Sequence, residues 1–375
     1  MPPHLGPPEP TFVHGLRHQA RCLASLPAAE DRSLFVAATW SPQTNNEVHL
    51  VEVDEELRGT PLRARVFRHN AGLWCVAGHP RQLELIACCE DAYPERPVTL
   101  LRIPGLSDAV QGTEPSNAAV DDTVERVASG EKRTRTRQSL DKVATLASAE
   151  APSLVEWQVT TTARRNNGGM RGWDVRSEKQ SYAVPFAHDG FVRAVDCNPN
   201  VPHHFATGGD DGMVRIWDAR RLGHSLLELA GHTHCVRARV WSVAYNEMHD
   251  QLLLTGGSDA RVNLQSVVST SSAAYGSGDP GSQDEEADED EEDGAEGDKA
   301  ATSLSVPRLG LVELSRRSTS RRPVDGLVKT YTDHDDSVYG VAWSHANPWL
   351  FASVSYSGRL LFSQVPSSEK YKILL

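Results

Sequence analysis

This chain of 375 residues lacks a surplus of positive charge, long apolar runs and paired cysteines. Each absence excludes something. The formal net charge is −12, and the tract Asp284–Asp298 (DEEADEDEEDGAEGD) holds 11 of the acidic residues, so the remainder stands near −1. A nearly neutral body has no electrostatic footprint for nucleic acid. The longest apolar runs fall far short of the roughly 20 residues a membrane span requires. The six cysteines include no Cys-x-x-Cys, and Cys88 and Cys89 are adjacent on an expected strand. They are read as reduced thiols of a cytosolic protein rather than a disulfide or zinc framework. The opening MPPHLGPPEP lacks the basic start and apolar core of a secretory signal. No nucleophile elbow, metal cluster or phosphate loop is found.

What the chain does have is turn chemistry, with 28 glycines and 22 prolines, and 39 % hydrophobic residues to build a core. Residues Phe186–Arg221 show how the two combine. A polar turn, His188-Asp189-Gly190, opens into a strand at Val192–Cys197. A turn at Asn198-Pro199 leads to a second strand at Phe205–Thr207. The run Gly208–Gly212 then leads to a third strand, Met213–Trp217, closed by Asp218. Short strands joined by tight Gly/Asp/Pro turns form an antiparallel meander. Four residue types stand out: His188, Thr207, Asp211 and Trp217. The stretch resembles one blade of a WD40 propeller, and that resemblance implies a hydrogen-bonded chain from indole through hydroxyl and imidazole to a turn carboxylate. Buried polar groups need partners, so such a chain would fix the turn.

The remaining chain reads as weaker copies of this unit. Trp173 to Trp217 and His188 to His232 are both 44 residues apart, within the 40–45-residue period of a four-stranded propeller blade. His69, His188 and His334 each precede a valine by seven residues (Val76, Val195, Val341), whereas His232 to Val243 is 11. Four extra residues are therefore expected within Cys235–Val240. Leu34–Trp40 with Glu47–Val53 reads as a first blade, and Leu83–Cys88 with Val98–Ile103 as a second. Lys142–Ala147 and Ser153–Val159, with Trp157, read as the end of a third. Met170–Arg176 closes a blade that has only Thr160–Gly169 before it, so that blade is truncated. The last blade runs from His334 to Phe362, and the tail Tyr371–Leu375 is expected to pair as a closing strand. Residues 1–11, the Ser/Thr-rich linker 106–140 and the acidic, Ser-rich insert 269–324 are expected to be disordered or variable. They leave one all-β propeller over 12–375.

The stretches NPNVPHHFATGGDDGMVRIWDARR, YNEMHDQLLLTGGSDARV, HDDSVYGVAWSHANPWLFASVSYSGRL and the terminus KYKILL, with the acidic insert, resemble one WD40 family. Its members interact with the endosome-associated recycling and Golgi-associated retrograde tethering complexes. The resemblance is specific over about 186–268 and 331–375, fair over 12–105 and poor over 106–170. It implies a seven-bladed WD40 β-propeller acting as a non-catalytic adaptor in endosomal recycling and endosome-to-Golgi traffic. Here the sequence supports six to seven blades, one of them truncated.

Several residues invite sharper chemistry. A Thr–His–Asp grouping resembles a hydrolase triad, but the copies decay: Gln265 and Ser363 replace the Trp, and Ser357 replaces the Asp. Decaying copies suit a fold determinant. His203-His204 and His232/His234 lack a zinc framework and read as turn or surface residues. Asp210-Asp211-Gly212 lacks the remaining ligands of a calcium loop. Glu131–Arg137 (EKRTRTR) has no aromatic neighbours and reads as linker rather than as a nuclear-localisation or nucleic-acid patch. The endings Trp173-Asp174-Val175-Arg176 and Trp217-Asp218-Ala219-Arg220 match the WDxR box of cullin–RING ubiquitin-ligase receptors, where Arg176 and Arg220 could make charge-assisted contacts. The expectation is a cytoplasmic scaffold without catalysis or cofactor. Tethering-complex subunits would be its partners, and it would associate peripherally with the trans-Golgi network and endosomes. No nucleic acid, membrane insertion or small-molecule substrate is expected. The alternatives are a ligase substrate receptor, or a histone-binding propeller using the acidic tract.

Overall fold

The computed structural model describes residues 12–41, 45–54, 63–91, 98–106, 138–146, 169–174, 179–232, 238–276 and 324–374. After β1 (Phe12–Gly15) comes a first sheet of β2 (Ala20–Ser25), β3 (Ser33–Thr39), β4 (Asn46–Val53) and β5 (Arg63–His69). The second holds β6 (Leu73–Gly78), β7 (Leu85–Glu90) and β8 (Val98–Arg102), then β10 (Asp141–Leu146) after the two-residue β9 (Gln138–Ser139). A two-stranded sheet follows, β11 (Met170–Asp174) with β12 (Lys179–Val184). The next sheet is β13 (Val192–Cys197), β14 (His204–Gly209), β15 (Met213–Asp218) and β16 (Leu227–Ala230). Another is β17 (Val240–Tyr245), β18 (Leu252–Gly257), β19 (Val262–Ser266) and β20 (Gly326–Tyr331). The last is β21 (Val338–Trp343), β22 (Leu350–Ser355) and β23 (Arg359–Gln364), with β1 on its outer edge.

The core lies between sheets. The second strands are apolar and small, as in SLFVAAT of β3 and LFASVS of β22, and buried at every position. A strand covered on both faces reads as a continuous apolar run, because each face needs a partner. Phe35 of β3 meets Phe362 of β23 with ring centroids 5.5 Å apart, joining the first and last sheets. Ala206, Val214 and Ile216 pack against Val240, Val243 and Leu253 of the following sheet. The first strands of neighbouring sheets touch in the order β6, β2, β21, β17, β13, which is the radial packing of a propeller.

Four expectations change. The tail forms a helix, α2 (Ser367–Leu374), not a strand. The edge it would have paired with is already occupied by β1, in register from Phe12 opposite Phe362 to Gly15 opposite Arg359. Asp141–Leu146 does not belong to a third blade; it pairs with β8 as the outer strand of the second sheet. The linker before it is thus an insertion between the third and fourth strands of one sheet, and its two ends are structured, with Leu106 buried and Gln138–Ser139 paired parallel to Phe67–Arg68. Ser153–Val159 and Trp157 lie outside the described residues, as do most of 269–324 and half of the 235–240 excess. The start of the acidic insert is ordered. Val268–Thr270 makes a 3₁₀ turn and Ser272–Gly276 the short helix α1. Buried Asp250 holds this segment by accepting from Ser272 N at 2.7 Å and Ser272 Oγ at 2.8 Å. Finally, β2, β5, β16 and β20, which the sequence reading did not mark, complete their sheets.

Candidate docking face

The four residues singled out in Phe186–Arg221 stand within one hydrogen-bonded relay. Trp217 Nε1 donates to Thr207 Oγ1 at 2.9 Å, and Thr207 Oγ1 lies 2.7 Å from His188 Nε2. His188 Nδ1 lies 2.9 Å from Asp211 Oδ1. One proton arrangement that serves all four has the indole filling a hydroxyl lone pair, the hydroxyl donating to Nε2, and Nδ1–H donating to the carboxylate; Arg215 Nη1 also lies 2.8 Å from Nδ1. Burial opposes ionisation of Asp211, but hydrogen bonds from His188 and Arg215 outweigh it and hold the carboxyl well below the usual range. Gly209 allows the imidazole in; a Cβ there would sit 2.4 Å from the His188 ring. The atoms follow hydrolase-triad order, yet Thr207 is fully buried and its oxygen is covered by the indole. No substrate carbon can reach it in this arrangement.

The copies loosen in order. His232 keeps Asp259 at 2.9 Å and Thr255 at 2.8 Å, but Gln265 stands where the Trp would. His334 keeps only Ser353, at 2.8 Å. Its Nδ1 is buried without a hydrogen bond among the described residues, and Ser357 donates instead to Asp335 at 2.7 Å. Burial, with the charge of Arg359, lowers the His334 pKa to about 4.

Of the two WDxR arginines, Arg176 lies outside the described residues. Arg220 is folded back on its own strand end, with Nη2 2.8 Å from Asp218 Oδ2, although 63 % of its side chain is exposed. Arg220 is also the main reason the Asp218 pKa falls to about 2. His203, His204 and Asp218 bring ligand atoms within 4.8 Å of one another. His204 is buried rather than at the surface, with Nδ1 2.9 Å from the Thr270 carbonyl. Asp210, considered above for calcium, is gripped by Arg193 through two contacts of 2.6 Å.

Sequence reasoning missed the residues that gather at the same end of the sheets as the His relays. In five sheets the first strand carries a β-bulge at one position: Ala20/Cys22, Leu73/Cys75, Val192/Ala194, Val240/Ser242 and Val338/Gly340. The residue skipped by the ladder is Arg21, Trp74, Arg193, Trp241 or Tyr339. A bulge re-aims the extra side chain out of the sheet, and here all five meet. The Arg21 guanidinium lies 4.7 Å from the Trp40 ring centroid, 4.5 Å from Trp74, 4.8 Å from Tyr339 and 5.6 Å from Tyr356. Tyr339 stacks on Trp241 at 4.7 Å. Arg193 and Arg239 lie over Trp241 at 5.0 and 5.7 Å. The signal was present in the sequence: Trp74, Arg193 and Tyr339 each follow the opening histidine by five residues, two before the valine of the counted spacing.

Comparison with known proteins completes the description. The family model "EIPR1 beta-propeller" matches residues 105–265, and "WD domain, G-beta repeat" matches 326–362. The human protein EARP and GARP complex-interacting protein 1 is 30 % identical over 410 aligned residues, covering 97 % of this chain and 98 % of the human one. EARP-interacting protein 1 of Caenorhabditis elegans is also 30 % identical, over 391 residues with the same coverage. The Arabidopsis thaliana WD repeat-containing protein DWA2 is 28 % identical over 94 % of this chain and 95 % of its own.

Proposed function

The chain belongs to the family of EARP and GARP complex-interacting proteins, and from that premise we propose that it is a propeller adaptor for endosomal and Golgi tethering complexes. The observation that carries this reading is identity of 30 % maintained across nearly the whole of both chains. The adaptor would serve endosomal recycling and endosome-to-Golgi retrograde transport. It would act in the cytoplasm and reach the trans-Golgi network and endosomes through its partners rather than by insertion. No helix among the described residues is long and apolar enough to cross a membrane. Its work is binding rather than catalysis: a stiff disc of packed sheets holds loops in fixed relation, and in both Thr–His–Asp groupings among the described residues the threonine is fully buried. Affinity purification followed by mass spectrometry tests the reading. Tether subunits should be recovered; recovery of ligase-adaptor subunits without them would reject it.

The ligase-receptor alternative draws on exposed Arg220. Loss of a bidentate partner at an interface costs about 2–5 kcal/mol, more than tenfold in affinity. Under the adaptor reading, Arg176→Ala/Arg220→Ala should fold normally and still recover the tether. A double variant that loses a ligase adaptor bound by the wild type would favour the alternative.

A further inference from the structure

The bulge side chains are not needed for the strand ladders that display them, and their chemistry is one-sided. Arg21 is half-buried among four aromatic rings. Its Nε is buried and makes no hydrogen bond, and no carboxylate pairs with it among the described residues. Trp241 Nε1, two rings along, is a second buried donor without an acceptor among the described residues. Arg193 and Arg239 both meet Asp210, at 2.6 and 3.5 Å. The band therefore offers aromatic faces together with two N–H donors, on Arg21 and Trp241, that lack an acceptor among the described residues. Trp, Tyr and Arg dominate the energetics of protein interfaces, and a guanidinium already stripped of water on several sides gains most from a carboxylate that approaches its fork.

We infer that this band is a docking surface for a partner protein segment that places a carboxylate on Arg21 and an apolar side chain against Trp241 and Tyr339. The described residues on either side of the chain's own acidic tract lie at the other end of the sheets. The described residues that flank it, Thr270 to Gly276 and Val324 to Gly326, connect β19 to β20 beside the Asn198 and Asp250 turns. A methylated lysine, the usual guest of an aromatic cage, would meet a cation already in place. The inference deepens the adaptor reading and rests on it for the partner's identity, but not for the chemistry.

Two arms test it on the full chain. In the first, fluorescence polarisation with an array of labelled peptides compares Asp/Glu-plus-aromatic sequences with Asn/Gln counterparts, trimethyl-lysine peptides and a single-stranded oligonucleotide. Acidic peptides should bind at least tenfold more tightly than their amide counterparts, about 1.4 kcal/mol. Arg21→Gln should abolish that margin, and Arg21→Lys should keep part of it. Trp241→Phe, which keeps a ring and loses the donor, should weaken binding without disturbing the fold, so the surface is still tested if Arg21→Gln unfolds. Equal binding of acid and amide peptides, or preference for the cationic peptide or the oligonucleotide, overturns the inference. In the second arm, purified tethering complex is captured on wild type and Arg21→Gln. Capture by wild type alone supports this surface, and equal capture overturns it while sparing the adaptor reading. Capture by neither rejects the adaptor reading, and the peptide arm then decides the chemistry.

Discussion

Single side chains in this protein carry the transition from chain to blade. Trp217 is large, buried and the first donor of the relay. Replacing it with alanine leaves a cavity and removes the donor from Thr207, so Trp217→Ala should cost about 3–5 kcal/mol, read as a fall in Tm or in denaturation midpoint. An unchanged midpoint would mean that the indole does not anchor the sheet. His334 responds to pH. Its folded pKa lies near 4, below the roughly 6.5 of an unfolded histidine, so the unfolded chain takes up the proton first. Its contribution is intact above about pH 6.5 and declines as pH falls towards 4. Between pH 6.5 and 4.5, His334→Gln should therefore lose less Tm than wild type. A parallel loss in the two would assign the acid sensitivity to other groups.

At the level of the strand and the turn, three sheets repeat one local design with different residues. Gly212 and Gly358 follow the relay's carboxylate position with φ of 75° and 82°, and Ala260 occupies the same place at 59°. Only Gly212 and Gly358 are free of the left-handed penalty, about 1–2 kcal/mol for an L residue. Ala260→Gly should raise stability by about 0.5–1 kcal/mol once the extra chain entropy of glycine is counted. Gly212→Ala should do the reverse, since its Cβ would lie 2.9 Å from the carbonyls of His232 and Ala238. Chemical denaturation of the two variants checks both signs. The sequence displayed this level well wherever short-range chemistry decides the outcome. His188, Thr207, Asp211 and Trp217 could be grouped because the resemblance to a WD40 blade places such residues at fixed offsets within one repeat. Partner strands distant in sequence were less visible. Nothing near Asp141 says that its strand pairs with Val98–Arg102, because a sheet edge recruits any extended segment of suitable register. The bulge residues were missed for a different reason: an Arg, a Trp or a Tyr on an inner strand reads as ordinary alternation until the ladder is seen to skip it.

At the scale of the whole molecule, an early strand completes the last sheet. β1 pairs with β23, so the first residues after 11 belong to the same sheet as residues 338–364. Phe12 and Leu16 join the cluster that holds the last sheet to the first. A chain starting at Leu16 would leave the β23 edge unpaired and that cluster open. It should lose on the order of 2–4 kcal/mol from apolar burial and backbone pairing, and its unfolding should become less cooperative by calorimetry. Retention of a single sharp transition at the original Tm would show that the seam adds nothing. The same architecture sorts the long insertions. One lies between β8 and β10 and the other between β19 and β20, each joining the third and fourth strands of its sheet. Such connections leave from the end opposite the bulges and the His relays. A fluorophore, affinity handle or surface anchor spliced into either insertion would orient every molecule alike, with the arginine-and-ring end towards solution.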